Sequence, residues 1–166
     1  MKEINWNHFT KRITVDAPVE AIYEAWSTQE GLESWFLRKA QFTRRRQEVI
    51  GRNTPVSEGD TYEWTWFGYP DTTAEQHMIL AADGKDFLQF RFSGGSIVSV
   101  NIKIEDEETI CELVQDNSWA EETKRPFLYI ECGNGWTFYL ANLKSILEGG
   151  IDLRNRNEQI REVVNS

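Results

Sequence analysis

The sequence predicts an α+β fold in which a curved antiparallel β-sheet wraps around a long C-terminal α-helix, with two short helices after the first strand. Closely spaced segments with strand-like patterns run from about residue 40 to residue 116. Such strands are expected to pair antiparallel, because parallel neighbours need long crossover connections. An apolar stripe with helical spacing follows near the C-terminus. Aromatic residues make up 13% of the 166 residues, enough to fill a large core or to line a cavity.

The N-terminal segment predicts one strand and then two short helices. Residues 8–15 alternate between apolar and polar side chains, which is the pattern of a half-buried strand. Pro18 suits the first position of a helix, and apolar residues at helical spacing follow it. The sequence STQE at 27–30 has the form of a capping box, which predicts the start of a second short helix.

The middle of the chain predicts an antiparallel meander. Turn residues separate its segments, including an Asp-Gly pair at 83–84, a Gly-Gly pair at 94–95 and a charged turn at 105–108. In the segment 97–104, the apolar residues up to Ile104 are predicted to face inward. The predicted strands lie at 61–67, 74–81, 87–92, 97–104 and 109–115.

The C-terminal region predicts a loop through Pro126 and then a helix over about 134–147, laid on the sheet and ended by Gly149-Gly150. The domain is therefore predicted to span residues 1–150. Residues 151–166 form a polar tail with enough apolar residues for a short helix.

Three stretches resemble a known superfamily. They are ITVDAPVEAIYEAW at 13–26, GLESWF at 31–36, and GWTFYL at 135–140 continuing through LKSILEG at 143–149. In this order they resemble the START-like (SRPBCC, polyketide-cyclase-type) superfamily. The greatest likeness is to bacterial homologues of the C-terminal domain of the heat-shock-protein-90 ATPase activator. The resemblance implies a helix-grip fold; the superfamily includes ligand carriers, enzymes and chaperone regulators, so function must be argued from the site.

Composition excludes several classes of function. The formal net charge of −9 is poorly suited to binding nucleic acid, which needs a broad cationic surface. No apolar run approaches the roughly 20 residues that cross a bilayer, so membrane insertion is not expected. Cys111 and Cys132 form no spaced motif, which fits free thiols in a reducing cytoplasm. No cofactor motif and no plausible metal-ligand cluster is present.

The aromatic residues predict a cavity between the sheet and the C-terminal helix that binds a small hydrophobic or aromatic molecule. The alternative is that these large rings fill the core completely. In the first interpretation, Tyr139 and the Trp indole N–H groups orient a polar end of the ligand. The residues predicted to line the cavity are Trp35, Phe36, Tyr62, Trp64, Trp66, Phe90, Phe92, Trp136, Tyr139 and Leu143.

A less favoured alternative is a small enzyme of the cyclase or dehydratase type, which needs an acid and a base facing the same space. The available groups are Glu63, His77, Arg91 and Gln115. Arg91 alternates with two phenylalanines and is expected to face solvent. Gln115 stands where relatives often carry a histidine, so no catalytic residue is assigned.

A second alternative is a protein-binding, co-chaperone-like regulator. Six of the 18 Lys and Arg residues lie between 38 and 52 in an otherwise acidic chain. Arg44, Arg45 and Arg46 form the candidate docking patch for an acidic partner or an anionic headgroup. The simpler explanation is that these arginines pair with nearby acidic residues such as Glu105–Glu108, or Glu121 and Glu122. If the three arginines serve docking, their replacement by Ser is expected to leave stability nearly unchanged.

Overall fold

The computed structural model describes residues 2–165, so Met1 and Ser166, at the ends of the predicted domain and tail, lie outside the described residues. The chain forms three α-helices and eight strands in this range. The helices are α1 (Val19–Ser27), α2 (Gln29–Trp35) and α3 (Arg125–Leu147). The strands are β1 (His8–Thr14), β2 (Lys39–Arg44), β3 (Glu48–Val49), β4 (Thr61–Thr65), β5 (Glu75–Ala82), β6 (Phe87–Arg91), β7 (Ile97–Glu105) and β8 (Glu108–Asp116).

The strands form one antiparallel sheet in the order β1-β8-β7-β6-β5-β4-β2-β3. Consecutive strands from β4 to β8 are neighbours, as expected for a meander. A register shift between Ile79 and Ala81 interrupts the pairing of β5 with β6. Such bulges bend and twist a sheet. The predicted α+β class, with a curved sheet, a long C-terminal helix and two short helices, is confirmed.

Helix α2 is capped one residue later than the capping-box pattern predicts. The Thr28 hydroxyl, rather than that of Ser27, accepts a hydrogen bond from the Gly31 amide at 2.9 Å. Glu30 does not close the box, because its carboxylate instead accepts hydrogen bonds from Arg52. Gly31 lies against the end of α1: a methyl group there would lie 2.7 Å from the Ala25 Cα atom.

Helix α3 is longer than predicted. It begins at Arg125 rather than near residue 134, and Pro126 lies in its first turn instead of in a loop. Proline is compatible with this position because the first helical amides have no partner within the helix. Glycines at 133 and 135 weaken the helical pattern of the sequence, whereas packing against the sheet stabilises this part of the helix. No helix within residues 2–165 is long and apolar enough to cross a membrane.

The inward face of β7 ends before the predicted position. Val98, Val100 and Ile102 are buried, but Ile104 is 66% exposed. Asp106 and Glu107 both have positive φ in the tight turn that follows. The β7–β8 hairpin extends beyond its neighbours, because β6 pairs with β7 only as far as Asn101. The concave face of the sheet and the buried sides of the helices enclose one core, in which Cys111 is fully buried.

The C-terminal tail packs on the body of the protein instead of forming the suggested short helix. Residues 151–165 have no helix or strand, yet Arg154 and Asn165 are buried. Arg154 donates hydrogen bonds to the carbonyl oxygens of Glu33 and Leu37 at 3.0 and 2.9 Å, beside the end of α2. The Asn165 side chain donates to the Phe67 carbonyl at 3.1 Å. The tail therefore connects α2, α3 and the end of β4.

Candidate ligand-binding cavity

A cavity of about 400 Å³ lies between one end of the sheet and the N-terminal half of α3. This volume is within the range of small-molecule sites. The connection between β4 and β5, the end of β6 and helix α3 form its walls. Tyr69 and Phe127, at 45% and 66% exposure, stand at its rim, so the cavity opens to solvent.

Aromatic rings form the floor of the cavity. Phe36 lies at their centre, with ring centroids 5.7 Å from Trp66, 5.0 Å from Trp136 and 4.9 Å from Tyr139. Phe92 closes the group, 6.2 Å from Trp66 and 5.3 Å from Trp136. These distances are typical of favourable ring pairs, so the floor is a rigid apolar surface.

Polar groups also line the cavity, beside the aromatic floor. The Glu75 carboxylate accepts a hydrogen bond from the Ser93 hydroxyl at 2.6 Å and lies 2.9 Å from His77 Nε2. Glu131 is exposed on α3 beside Cys132, and both line the cavity. Burial raises the pKa of the Cys132 thiol, which is therefore neutral at physiological pH.

The structure divides the predicted lining residues into two groups. Five of the ten line the cavity: Phe36, Trp66, Phe92, Trp136 and Tyr139. The other five lie in the filled core and do not line it: Trp35, Tyr62, Trp64, Phe90 and Leu143. Both sequence interpretations therefore describe part of the interior.

Direct packing of rings closes the deeper part of the interior. Tyr62 and Trp64 stack with centroids 3.8 Å apart, and Phe90 lies 5.2 Å from Trp64. Trp35 packs edge-on against Trp26 at 4.6 Å. These pairs occupy the space between the sheet and the helices, so the open volume remains only at one end.

The protein itself uses most of the groups predicted to orient a ligand. The Tyr139 hydroxyl donates to the Asn165 carbonyl in the tail. The indole N–H of Trp136 donates to Gln115 at 2.8 Å, and that of Trp35 donates to Ala25 at 2.9 Å. The Trp64 indole nitrogen is buried without a hydrogen-bond partner among residues 2–165, but Trp64 does not line the cavity.

The sequence-based prediction missed the walls contributed by the loop after β4 and by the first half of α3. Lining residues on α3 recur at helical spacing, through Leu128, Cys132, Gly135 and Tyr139. This spacing was readable in the sequence, but the predicted helix began too late to include its first half. The loop residues Tyr69 and Thr73 carry no periodic pattern, so only the three-dimensional structure places them here.

Three of the four groups considered for acid–base catalysis, Glu63, His77 and Arg91, lie around one concavity, and Gln115 lies apart from them. Glu63 is exposed on the outer face of the sheet, where Gln76 donates to it at 2.6 Å. Gln115 is fully buried between Trp136 and Asn117. The concavity that Glu63, His77 and Arg91 line has a volume of about 490 Å³ and is separate from the aromatic cavity. No group of three or more metal-ligating side chains occurs in the described part of the chain.

The candidate docking patch is split by a structural ion pair. Arg44 binds both carboxylate oxygens of Asp60 at 2.9 Å, and this interaction raises the pKa of Arg44. Only Arg45 and Arg46 remain exposed. The predicted pairing with Glu105–Glu108, or with Glu121 and Glu122, is wrong for Arg44, since Asp60 is its partner. The side chain of Asp60 is 2% exposed, so replacement of Arg44 is not neutral for stability.

Comparison with known proteins agrees with this architecture. The sequence model of a family described as Activator of Hsp90 ATPase homolog 1-like protein matches residues 16–148. No curated protein matches the chain in sequence.

Several solved structures share the fold. The protein SSP2350 from Staphylococcus saprophyticus is 15% identical, with a TM-score of 0.67 over 89% of this chain and 96% of that one. The Aha1 dimer from Colwellia psychrerythraea is 21% identical, with a TM-score of 0.62 over 86% and 97% of the two chains. DynU16, from the dynemicin biosynthetic locus, is 19% identical with a TM-score of 0.66; 90% of this chain matches half of that one. The predicted START-like helix-grip fold is confirmed.

Proposed function

We propose, from the premise that the chain belongs to the Activator of Hsp90 ATPase homolog 1-like family, that it binds a small hydrophobic or aromatic molecule in the cavity beside α3. The family and its fold are compatible with ligand binding and with regulatory roles. The observation that favours ligand binding is the open cavity of about 400 Å³ with an aromatic floor. A cytoplasmic location, suggested by two free cysteines, belongs to the same proposal.

The distribution of burial supports this choice. Trp66 and Phe92, at 9% and 7% exposure, are largely enclosed but still line the cavity. An apolar ligand placed against them removes additional ring surface from water, which stabilises the complex by about 25 cal/mol per Å². The rings are already fixed by their neighbours, so little side-chain entropy is lost on binding.

Native mass spectrometry of freshly purified protein, followed by organic extraction, provides the first test. A reproducible additional mass that extraction identifies as an apolar or aromatic compound is the expected result. The extracted compound is then titrated into the emptied protein. If no mass is retained and a panel of small aromatic compounds does not bind, the proposal is refuted and a regulatory role through the surface is favoured.

The variant Gly135→Leu localises binding to the cavity. Gly135 lies in the middle of the α3 stripe that lines the cavity, so a Leu side chain there occupies the open space. Replacement of a helical Gly by Leu also favours the helix by about 0.5–1 kcal/mol, so the variant is expected to fold. Thr137→Leu adds a similar side chain on the exposed face of the same helix. Binding should disappear in Gly135→Leu and persist in Thr137→Leu.

A further inference from the structure

The charges on the cavity wall indicate the chemical class of the ligand, an inference that rests on the proposed function. Glu75 and Glu131 are the charged residues among those that line the cavity, and no described Lys, Arg or His joins them there. We infer that the cavity takes an organic cation: an amine or quaternary ammonium group attached to an aromatic or apolar body. The other ionisable lining groups are a thiol and phenols, which are never cationic, so they do not offset the two carboxylates.

Glu75 is held in a fixed position at the cavity wall. One carboxylate oxygen accepts from the Ser93 hydroxyl at 2.6 Å, and the other lies 2.9 Å from His77 Nε2. Each carboxylate oxygen has two lone pairs, so one on each oxygen remains for a ligand. An ammonium N–H at this point forms a charge-assisted hydrogen bond.

The aromatic floor favours the same ligand chemistry. The faces of tryptophan and other aromatic rings attract cations, whether ammonium or quaternary ammonium groups. Trp66, Phe92 and Trp136 meet at centroid distances of 5.3 to 6.2 Å beside this wall. A ligand with a cationic end and an apolar body can therefore contact Glu75 and the rings at the same time.

The two other classes of ligand fit less well. An anionic ligand brings a like charge to Glu75 and Glu131, and no cationic lining side chain compensates for it. A neutral apolar ligand removes water from the Glu75 carboxylate and supplies no replacement hydrogen bond. Exposed Glu131 adds long-range attraction for a cation at the rim.

Three compounds that share an indole ring test the inference by isothermal titration calorimetry. They are tryptamine, which is a cation, 3-ethylindole, which is neutral, and indole-3-propionate, which is an anion. The wild-type protein is expected to bind tryptamine on the order of tenfold more tightly than 3-ethylindole. It should bind indole-3-propionate most weakly.

The variant Glu75→Gln removes the charge and keeps the shape of the side chain. The ratio of tryptamine to 3-ethylindole affinity should fall towards one in this variant. Glu63→Gln, which removes an exposed carboxylate from the outer face of the sheet, should leave the ratio at its wild-type value. Tryptophan fluorescence unfolding curves establish that both variants are folded.

The outcomes separate the two proposals. If the neutral or anionic compound binds at least as tightly as tryptamine, the cavity binds ligands but the inferred preference for a cation is wrong. An unchanged ratio in Glu75→Gln also overturns the inference, because the preference then arises elsewhere. If none of the three compounds binds and no other aromatic compound does, both proposals fail together.

Discussion

Replacing Arg154 by Met should strongly destabilise the protein, although the residue lies in a tail without regular structure. The side chain of Arg154 is 1% exposed and donates to the carbonyl oxygens of Leu37 and Glu33 and to the Asp152 carboxylate. Removing one partner of a buried ion pair costs about 3–5 kcal/mol. Asn142 also donates to Asp152, whose side chain is 21% exposed, so the lower end of this range applies.

The expected loss in the free energy of unfolding is therefore about 3 kcal/mol, which corresponds to a fall in Tm of about 6–12 °C for a chain of this size. Urea denaturation followed by tryptophan fluorescence measures it. The matched control is Arg156→Met, because Arg156 also binds Asp152 but is 58% exposed. Arg156→Met should lower the free energy of unfolding by less than about 1 kcal/mol. If Arg154→Met is no less stable than this control, the tail is not docked as described.

The pH dependence gives a second measurement on the same variant. Burial disfavours the ionised form of Asp152, but hydrogen bonds from Arg154, Arg156 and Asn142 outweigh this effect and lower its pKa well below the ordinary value. A carboxylate with a lowered pKa stabilises the fold above its unfolded pKa of about 3.9, and this contribution is lost as pH falls further. The stability difference between wild type and Arg154→Met should therefore narrow as pH falls below about 4.

Three further variants test other contacts of the fold by the same denaturation assay. Arg44→Ser should lower the free energy of unfolding by about 2 kcal/mol, because it leaves buried Asp60 without its bidentate partner. The control Arg45→Ser, at an exposed position, should change this free energy by less than about 0.5 kcal/mol. Equal effects of the two variants would exclude a structural role for the Arg44–Asp60 pair. Gly31→Ala should lower the free energy of unfolding by about 1–3 kcal/mol, since the new methyl group would lie 2.3 Å from the Glu24 carbonyl oxygen in α1. Unchanged stability would mean that α1 and α2 can separate at no cost. Gln115→Leu should lower the free energy of unfolding by about 1–3 kcal/mol, because it leaves the Trp136 indole N–H buried without an acceptor. An equally stable variant would show that another group accepts this hydrogen bond in place of Gln115.

The sequence allowed the sheet to be predicted well because its strands are short and turn residues separate them. The register of β7 with β8 follows from alternation that places Val98, Val100 and Ile102 on the buried face. The start of α3 was misplaced because Pro126 and two helical glycines look like loop residues when tertiary packing is not considered. Local patterns therefore identified the elements better than their ends.

The cavity was harder to predict, because its position depends on which aromatic rings pack against one another and which leave space between them. Alternation correctly places Tyr62, Trp64, Phe90 and Phe92 on the inward face, but it does not reveal that the first three close the interior while Phe92 remains at the open end. The packing of the C-terminal tail on the domain could not be predicted from the periodicity of the sequence either. Arg154 is buried by specific hydrogen bonds to backbone carbonyls, and such bonds leave no repeating signal in a sequence.

The docked tail is attached to Tyr139, one of the residues that line the cavity. Tyr139 contributes to the cavity and also donates its hydroxyl proton to the Asn165 carbonyl, while the Asn165 side chain holds the Phe67 carbonyl, next in the chain to Trp66. A molecule that displaces Tyr139 must therefore work against the attachment of the tail, and one that fits without displacing it strengthens that attachment. By thermodynamic reciprocity, a ligand that favours the docked tail by a given factor binds the docked form more tightly than the undocked form by the same factor. Increased protection of the tail from proteases is the expected sign that such a ligand is bound.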